Sequence, residues 1–163
     1  MSILLTAIDP GPTTSAIVCI DKRLRPVSAE IVPTGEVVDR LHDAPPVYVE
    51  MVASYGMPVG REVFDTVWWI GRICQARPDA TLVTRYPVKL HHCHHPQSND
   101  ATVRQALVDR FAPGQPNHGK GTKASPGWFH GFKEDIWAAY ALAVYAADLG
   151  PDVKGYEPLG GVA

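Results

Sequence analysis

Short apolar runs separated by turn residues open the chain. Ile3 to Ile8 is almost continuously apolar and stops at Asp9-Pro10-Gly11, the pattern of a buried central strand that delivers a carboxylate to an edge of the sheet. Pro10 to Thr14 is turn chemistry, and Ser15 to Ile20 returns as a second strand to make a hairpin. Asp21 to Pro26 is a polar connection, after which Val27 to Val32 alternates as a third, half-exposed strand. These three strands predict an antiparallel meander. Gly35 to Leu41 has the spacing of a short amphipathic helix, stopped by Pro45-Pro46. Val47 to Met51 is a fourth strand whose alternation puts Tyr48 and Glu50 on one face.

A loop rich in Gly and Pro, Ala53 to Gly60, leads into a helix from Arg61 to Ala76. Val63, Val67, Ile70 and Cys74, with Phe64, Trp68 and Ile73 beside them, predict a broad stripe packed on a sheet, and Trp68-Trp69 reads as core and flank. Thr81 to Tyr86 is a fifth strand closed by Pro87, and the polar segment Lys89 to Asn99 precedes a helix from Asp100 to Phe111. The inner side of that helix carries Val103, Ala106, Leu107 and Val108. Ala112 to Gly131 has no periodicity and reads as a long loop, functional or disordered. Glu134 to Leu149 predicts an alanine-rich helix that lies close on the sheet and carries Asp135, in its first turn, toward the strand ends. Residues 151–163 read as a fraying tail behind a domain of residues 1–150. The class expected is α/β, with a five-stranded mixed sheet flanked by helices.

A chain of 163 residues suits one domain with a sheet covered by helices. No run is long enough to cross a membrane and the opening lacks a secretory pattern, so a cytoplasmic protein without a membrane partner is expected. Cys19, Cys74 and Cys93 have no paired spacing, which argues against a disulfide framework and fits a reducing compartment. A net charge of −2 neither favours nor excludes nucleic acid, because the distribution of charge matters more than its sum.

Asp9, Glu50 and Asp135 come from a first strand, a fourth strand and a last helix. Each has an ordinary reading: Asp9 as a turn opener, Glu50 as a solvated strand end, and Asp135 at the positive end of a helix. If the elements pack as one layered sheet, all three converge on one rim. Carboxylates so gathered repel unless protonated or bridged, and hard divalent ions prefer oxygen ligands. Two such ions about 4 Å apart activate a water and offset charge on the leaving oxygen in phosphodiester hydrolysis.

Ala7-Ile8-Asp9-Pro10-Gly11 resembles the first-strand signature of the RuvC-type Holliday junction resolvases of the RNase H-like nucleases, and Val47-Tyr48-Val49-Glu50 resembles their second acidic strand. Glu50 to Gly60 with Glu62-Val63-Phe64 and Trp69-Ile70-Gly71-Arg72 is similar to the bacteriophage branch of that family, as are Arg104 to Phe111, Lys120-Gly121-Thr122-Lys123 and Trp137 to Ala143. The resemblance implies an RNase H-like fold, two magnesium or manganese ions, and hydrolysis at branched DNA that leaves a 5′ phosphate and a 3′ hydroxyl. The substrates implied are four-way junctions with forks and flaps, in a bacterial or phage-infected cell. Asp9 and Glu50 carry over directly as metal ligands. The last acid falls in His130-Gly131-Phe132-Lys133-Glu134-Asp135, where Asp135 is preferred, Glu134 is a fourth ligand candidate and His130 a candidate for orienting water or a ligand.

Arg85, Lys89, Arg104, Lys120, Lys123 and Lys133 are candidates for phosphate contacts, against the alternative of a solvated face. Tyr55 and Phe129 are candidates to stack at a branch point, or simply to anchor their loops. The run His91-His92-Cys93-His94-His95 lacks the separations of a structural zinc site and reads as a partly charged loop near DNA. Asp100 is a candidate to extend the acidic set, but beside Ser98 and Asn99 it reads rather as a helix start. Symmetric incision of a junction needs two active sites, so a homodimer is expected. The rival readings are a non-catalytic branched-DNA-binding relative and an ATPase or sugar-kinase-like module, since Asp9-Pro10-Gly11-Pro12-Thr13 also satisfies the Asp-x-Gly-x-Thr pattern.

Overall fold

The computed structural model describes residues 2–161. Strand β1 (Leu5–Asp9) is buried along its whole length, as a strand must be when it has neighbours on both edges and helices on both faces. It pairs antiparallel with β2 (Thr14–Ile20), which pairs antiparallel with β3 (Pro26–Pro33). On its other edge it pairs parallel with β4 (Val47–Met51), itself parallel to β5 (Thr81–Thr84). The order β3-β2-β1-β4-β5 is the expected five-stranded mixed sheet with its meander.

Period-two alternation sorts the strand residues between two layers. Leu5, Ala7, Tyr48 and Val83 face α3 (Arg85–Cys93), α4 (Asp100–Phe111) and α5 (Ile136–Leu149). Ile8, Val47, Val49 and Leu82 face α1 (Val37–Arg40) and α2 (Arg61–Ala76). Helix α5 buries ten of its fourteen residues, and alanines at 139, 141, 143 and 146 let it settle against β1 and β2.

Several elements depart from the pattern-based reading. Helix α2 buries Thr66, Ile70 and Ile73 but leaves Phe64, Val67 and Trp68 exposed, so its apolar stripe is only partly covered. Strand β4 is about 17 Å long, and cannot cover a helix of about 24 Å. Pro87 ends no strand; it sits in the first turn of α3, where a missing N–H loses no intrahelical bond, and the helix continues to a left-handed His94. The irregular stretch 112–131 is anchored by Phe129, fully buried against Phe111, Phe132, Trp137 and Tyr140, which removes Phe129 as a stacking surface for DNA. Beyond Gly150 the Tyr156 N–H donates to the Leu82 carbonyl at 2.6 Å, so this part of the tail runs beside β5 and does not fray.

Candidate active site

Alternation carries Asp9 and Glu50 to the last residues of two strands on the α5 face and sets Arg85, which opens α3, just past the end of a third. Asp9 follows Leu5 and Ala7, Glu50 follows Tyr48, and Arg85 follows Val83. Because β1, β4 and β5 run parallel, all three emerge at the same rim, where the ligands of open α/β sheets collect. The turn after Asp9 is locked. The Gly11 N–H donates to Ser15 Oγ at 3.2 Å, Thr34 Oγ1 donates to the Gly11 carbonyl at 2.9 Å, and the Ser15 and Thr34 hydroxyls meet at 2.8 Å. A Cβ on Gly11 would stand 2.4 Å from the Thr14 carbonyl oxygen, so a side chain there would force the turn open.

Asp9 is only 8% exposed. Arg85 donates through Nε to Glu50 Oε1 at 2.6 Å and through Nη2 to Oε2 at 3.1 Å, a bidentate charged pair. The same guanidinium lies 3.7 Å from Asp9 Oδ2 and 3.5 Å from Asp100 Oδ2, and Lys89 Nζ stands 3.2 Å from Asp100 Oδ1. Burial holds the Asp9 carboxyl far above the usual carboxylate range, and its hydrogen-bonding contact and repulsion with Glu50 push it the same way. Arg85 offsets part of this, and the charge of Asp135 adds to it. Glu50 in turn holds the Arg85 guanidinium still more firmly protonated.

Asp135 is the N-cap residue of α5 but its side chain makes no capping bond. With Arg85, Asp100, Arg104, Glu134 and Trp137 it lines a groove of about 230 Å³ beside the rim. The structure thus brings Asp9, Glu50 and Arg85 together, with Asp135 and Glu134 in the adjoining groove that Arg85 also lines, and His130 exposed and outside that lining. Arg85 and Lys89, expected on phosphates, are engaged by the acids of the rim. Arg104 is exposed with its guanidinium 5.3 Å over Trp137, Lys123 and Lys133 are exposed, Lys120 is half-buried, and Tyr55 stands on its loop 68% exposed. Asp100 meets both of its readings, opening α4 and pairing with Arg85 and Lys89 at the edge of the acidic set.

His91 and His92, expected in a loop, lie on α3 and tie it to α5, while His94 and His95 follow the helix, exposed. His91 Nε2 lies 2.7 Å from Asp148 Oδ2 and His92 Nε2 lies 2.8 Å from the Ala141 carbonyl oxygen, both on α5. Burial pushes the His92 imidazole down to about 4.

Among the described residues no three His, Cys, Asp or Glu groups converge tightly enough to enclose an ion. The donor chemistry nevertheless suits a hard divalent cation. Asp9 and Glu50 offer only oxygens, Asp135 adds its negative charge to Asp9, and burial outweighs the one guanidinium in keeping the Asp9 carboxyl raised. Positive charge is what this cluster lacks.

The sequence matches no family model and no curated protein. The fold has solved counterparts, and its class is RNase H-like. A Thermus thermophilus RuvC in complex with a Holliday junction substrate aligns with a TM-score of 0.61 at 16% identity, covering 90% of this chain and 93% of that one. A second T. thermophilus RuvC structure aligns at 0.59 and 18% identity, covering 90% and 96%. The five-stranded sheet and its flanking helices are those of a RuvC-like fold.

Proposed function

We propose that the protein is a metal-dependent, structure-selective DNA endonuclease that hydrolyses phosphodiester bonds at Holliday junctions and related branched DNA. One observation carries this reading: Asp9 and Glu50 meet at adjacent parallel strand ends around Arg85, and Asp135, at the start of α5, lines the groove that Arg85 shares. The fold is shared with a protein solved on a Holliday junction.

Asp9, Glu50 and Asp135, with Glu134 beside them, are the residues to hold magnesium, or manganese. Two such ions supply an activated water and charge compensation at the leaving oxygen. Arg85 bridges the buried Asp9 and the half-buried Glu50 until other positive charge reaches them. Arg104, Lys120, Lys123 and Lys133 supply phosphate contacts, and Tyr55 presents an aromatic face at the branch. A second copy of the chain seats on α2, where Phe64, Val67 and Trp68 are exposed at helical spacing and a side chain at Gly71 would meet open space.

Magnesium-dependent cleavage of a synthetic four-way junction, compared with fork, flap and linear duplex, tests the reading. Cleavage is expected for branched substrates and is lost in Asp9→Asn or Glu50→Gln while binding survives. Cutting that persists in both variants would remove the metal assignment. Trp68→Glu is expected to convert a dimer to a monomer in sedimentation.

A further inference from the structure

The turn between β2 and β3 holds a concentration of charge that the rim does not use. Leu5 pairs with Ile20 and Asp9 with Ala16, so this turn lies at the other end of β1, about 13 Å of strand from the acids. Its conformation is built. The buried Asp21 accepts the N–H groups of Arg23 at 2.8 Å and Arg25 at 3.0 Å through Oδ1. Leu24 is held at φ 64°, a left-handed conformation that costs a leucine about 1–2 kcal/mol. Tyr140 Oη donates to the Leu24 carbonyl at 2.8 Å, and Trp128 Nε1–H donates to Tyr140 Oη at 3.0 Å. The Trp128 ring is braced by Phe111, stacked at 5.1 Å, and by the Arg25 guanidinium 5.0 Å over it.

This pinned turn displays Lys22, Arg23 and Arg25, all exposed, around an open cleft of about 560 Å³ that Trp128, Ser2 and Asp21 complete. Among the described residues none of the three cations makes an ion pair. The one acid in the cleft turns an oxygen to the backbone. Three unpaired cations on a five-residue turn, in a chain of net charge −2, suit a run of phosphates better than a single anion.

We infer that Lys22, Arg23 and Arg25 form a second nucleic-acid contact, which grips the phosphate backbone of a DNA arm running along the domain away from the acidic rim. The inference rests on the proposed nuclease reading, since the arm is that of its substrate. It is tested with intact protein by anisotropy in EDTA, on junctions with arms too short to pass the rim and with arms long enough to reach the turn. For long arms, Lys22→Ala/Arg23→Ala/Arg25→Ala is expected to make the slope of log K against log salt shallower by about 2–3 and to weaken low-salt binding roughly tenfold. Short-arm binding and short-arm turnover at saturation stay as in the parent, and Lys22→Arg/Arg23→Lys/Arg25→Lys restores the slope. An unchanged slope on long arms, or equal weakening of short and long arms, would overturn the inference. A parent protein that binds no branched DNA would instead overturn the nuclease reading itself.

Discussion

The two ends of the sheet carry opposite charges and store their strain differently. At the ends of β1 and β4, Asp9 and Glu50 crowd behind one guanidinium, and burial, with Glu50 beside it, holds the Asp9 carboxyl well above the usual carboxylate range. At the other end Lys22, Arg23 and Arg25 repel one another in water, where repulsion is weak, and the strain sits in the backbone at Leu24. Hydrogen bonds from Tyr140 and to Asp21 hold that turn whether or not a ligand is present. The acidic rim is an electrostatic deficit waiting for cations, and the basic turn is a finished scaffold. Sites of the first kind trade stability for chemistry.

The largest effect expected from breaking this contrast is on turnover. Asp9→Asn removes a ligand and should lower magnesium-dependent junction cleavage roughly 10³-fold in single-turnover assays, with junction affinity in EDTA nearly unchanged. Arg85→Ala exposes the deficit directly. Without the guanidinium, manganese should bind about tenfold more tightly by titration calorimetry, and the metal-free protein should lose about 1–3 kcal/mol in urea melts, regained on adding manganese.

A smaller effect has an unusual sign. The folded carboxyl of Asp9 lies above its unfolded value, so the native state binds more protons over that interval, and metal-free stability should fall as pH rises above about 4. Asp9→Asn imitates the protonated form and should flatten this slope. At pH 8 it should raise the melting temperature of the metal-free protein, by about 1–2 kcal/mol or roughly 2–8 °C. Tyr140→Phe tests the other end. Loss of the hydroxyl between Trp128 and Leu24 should cost about 1–2 kcal/mol of stability and leave manganese affinity unchanged, because the tether does not reach the rim.

Local periodicity was enough to read the meander, the bounds of α2 and α4, and the arrival of carboxylates at two strand ends, because alternation and turn chemistry are properties of neighbouring residues. It put Glu50 on the face of Tyr48, but only the parallel register of β1 with β4, Ala7 opposite Tyr48, set Asp9 on that same face. Packing decided the rest. Arg85 reads as one more surface cation until parallel pairing sets it against Glu50, 35 positions away. Pro87 reads as a stop until β5 proves short enough to place it in a first turn. Phe129 reads as an exposed loop aromatic until four other rings close over it. Ion pairing, helix starts and aromatic burial depend on distances through space between segments far apart in the chain, and only the assembled layers set those distances.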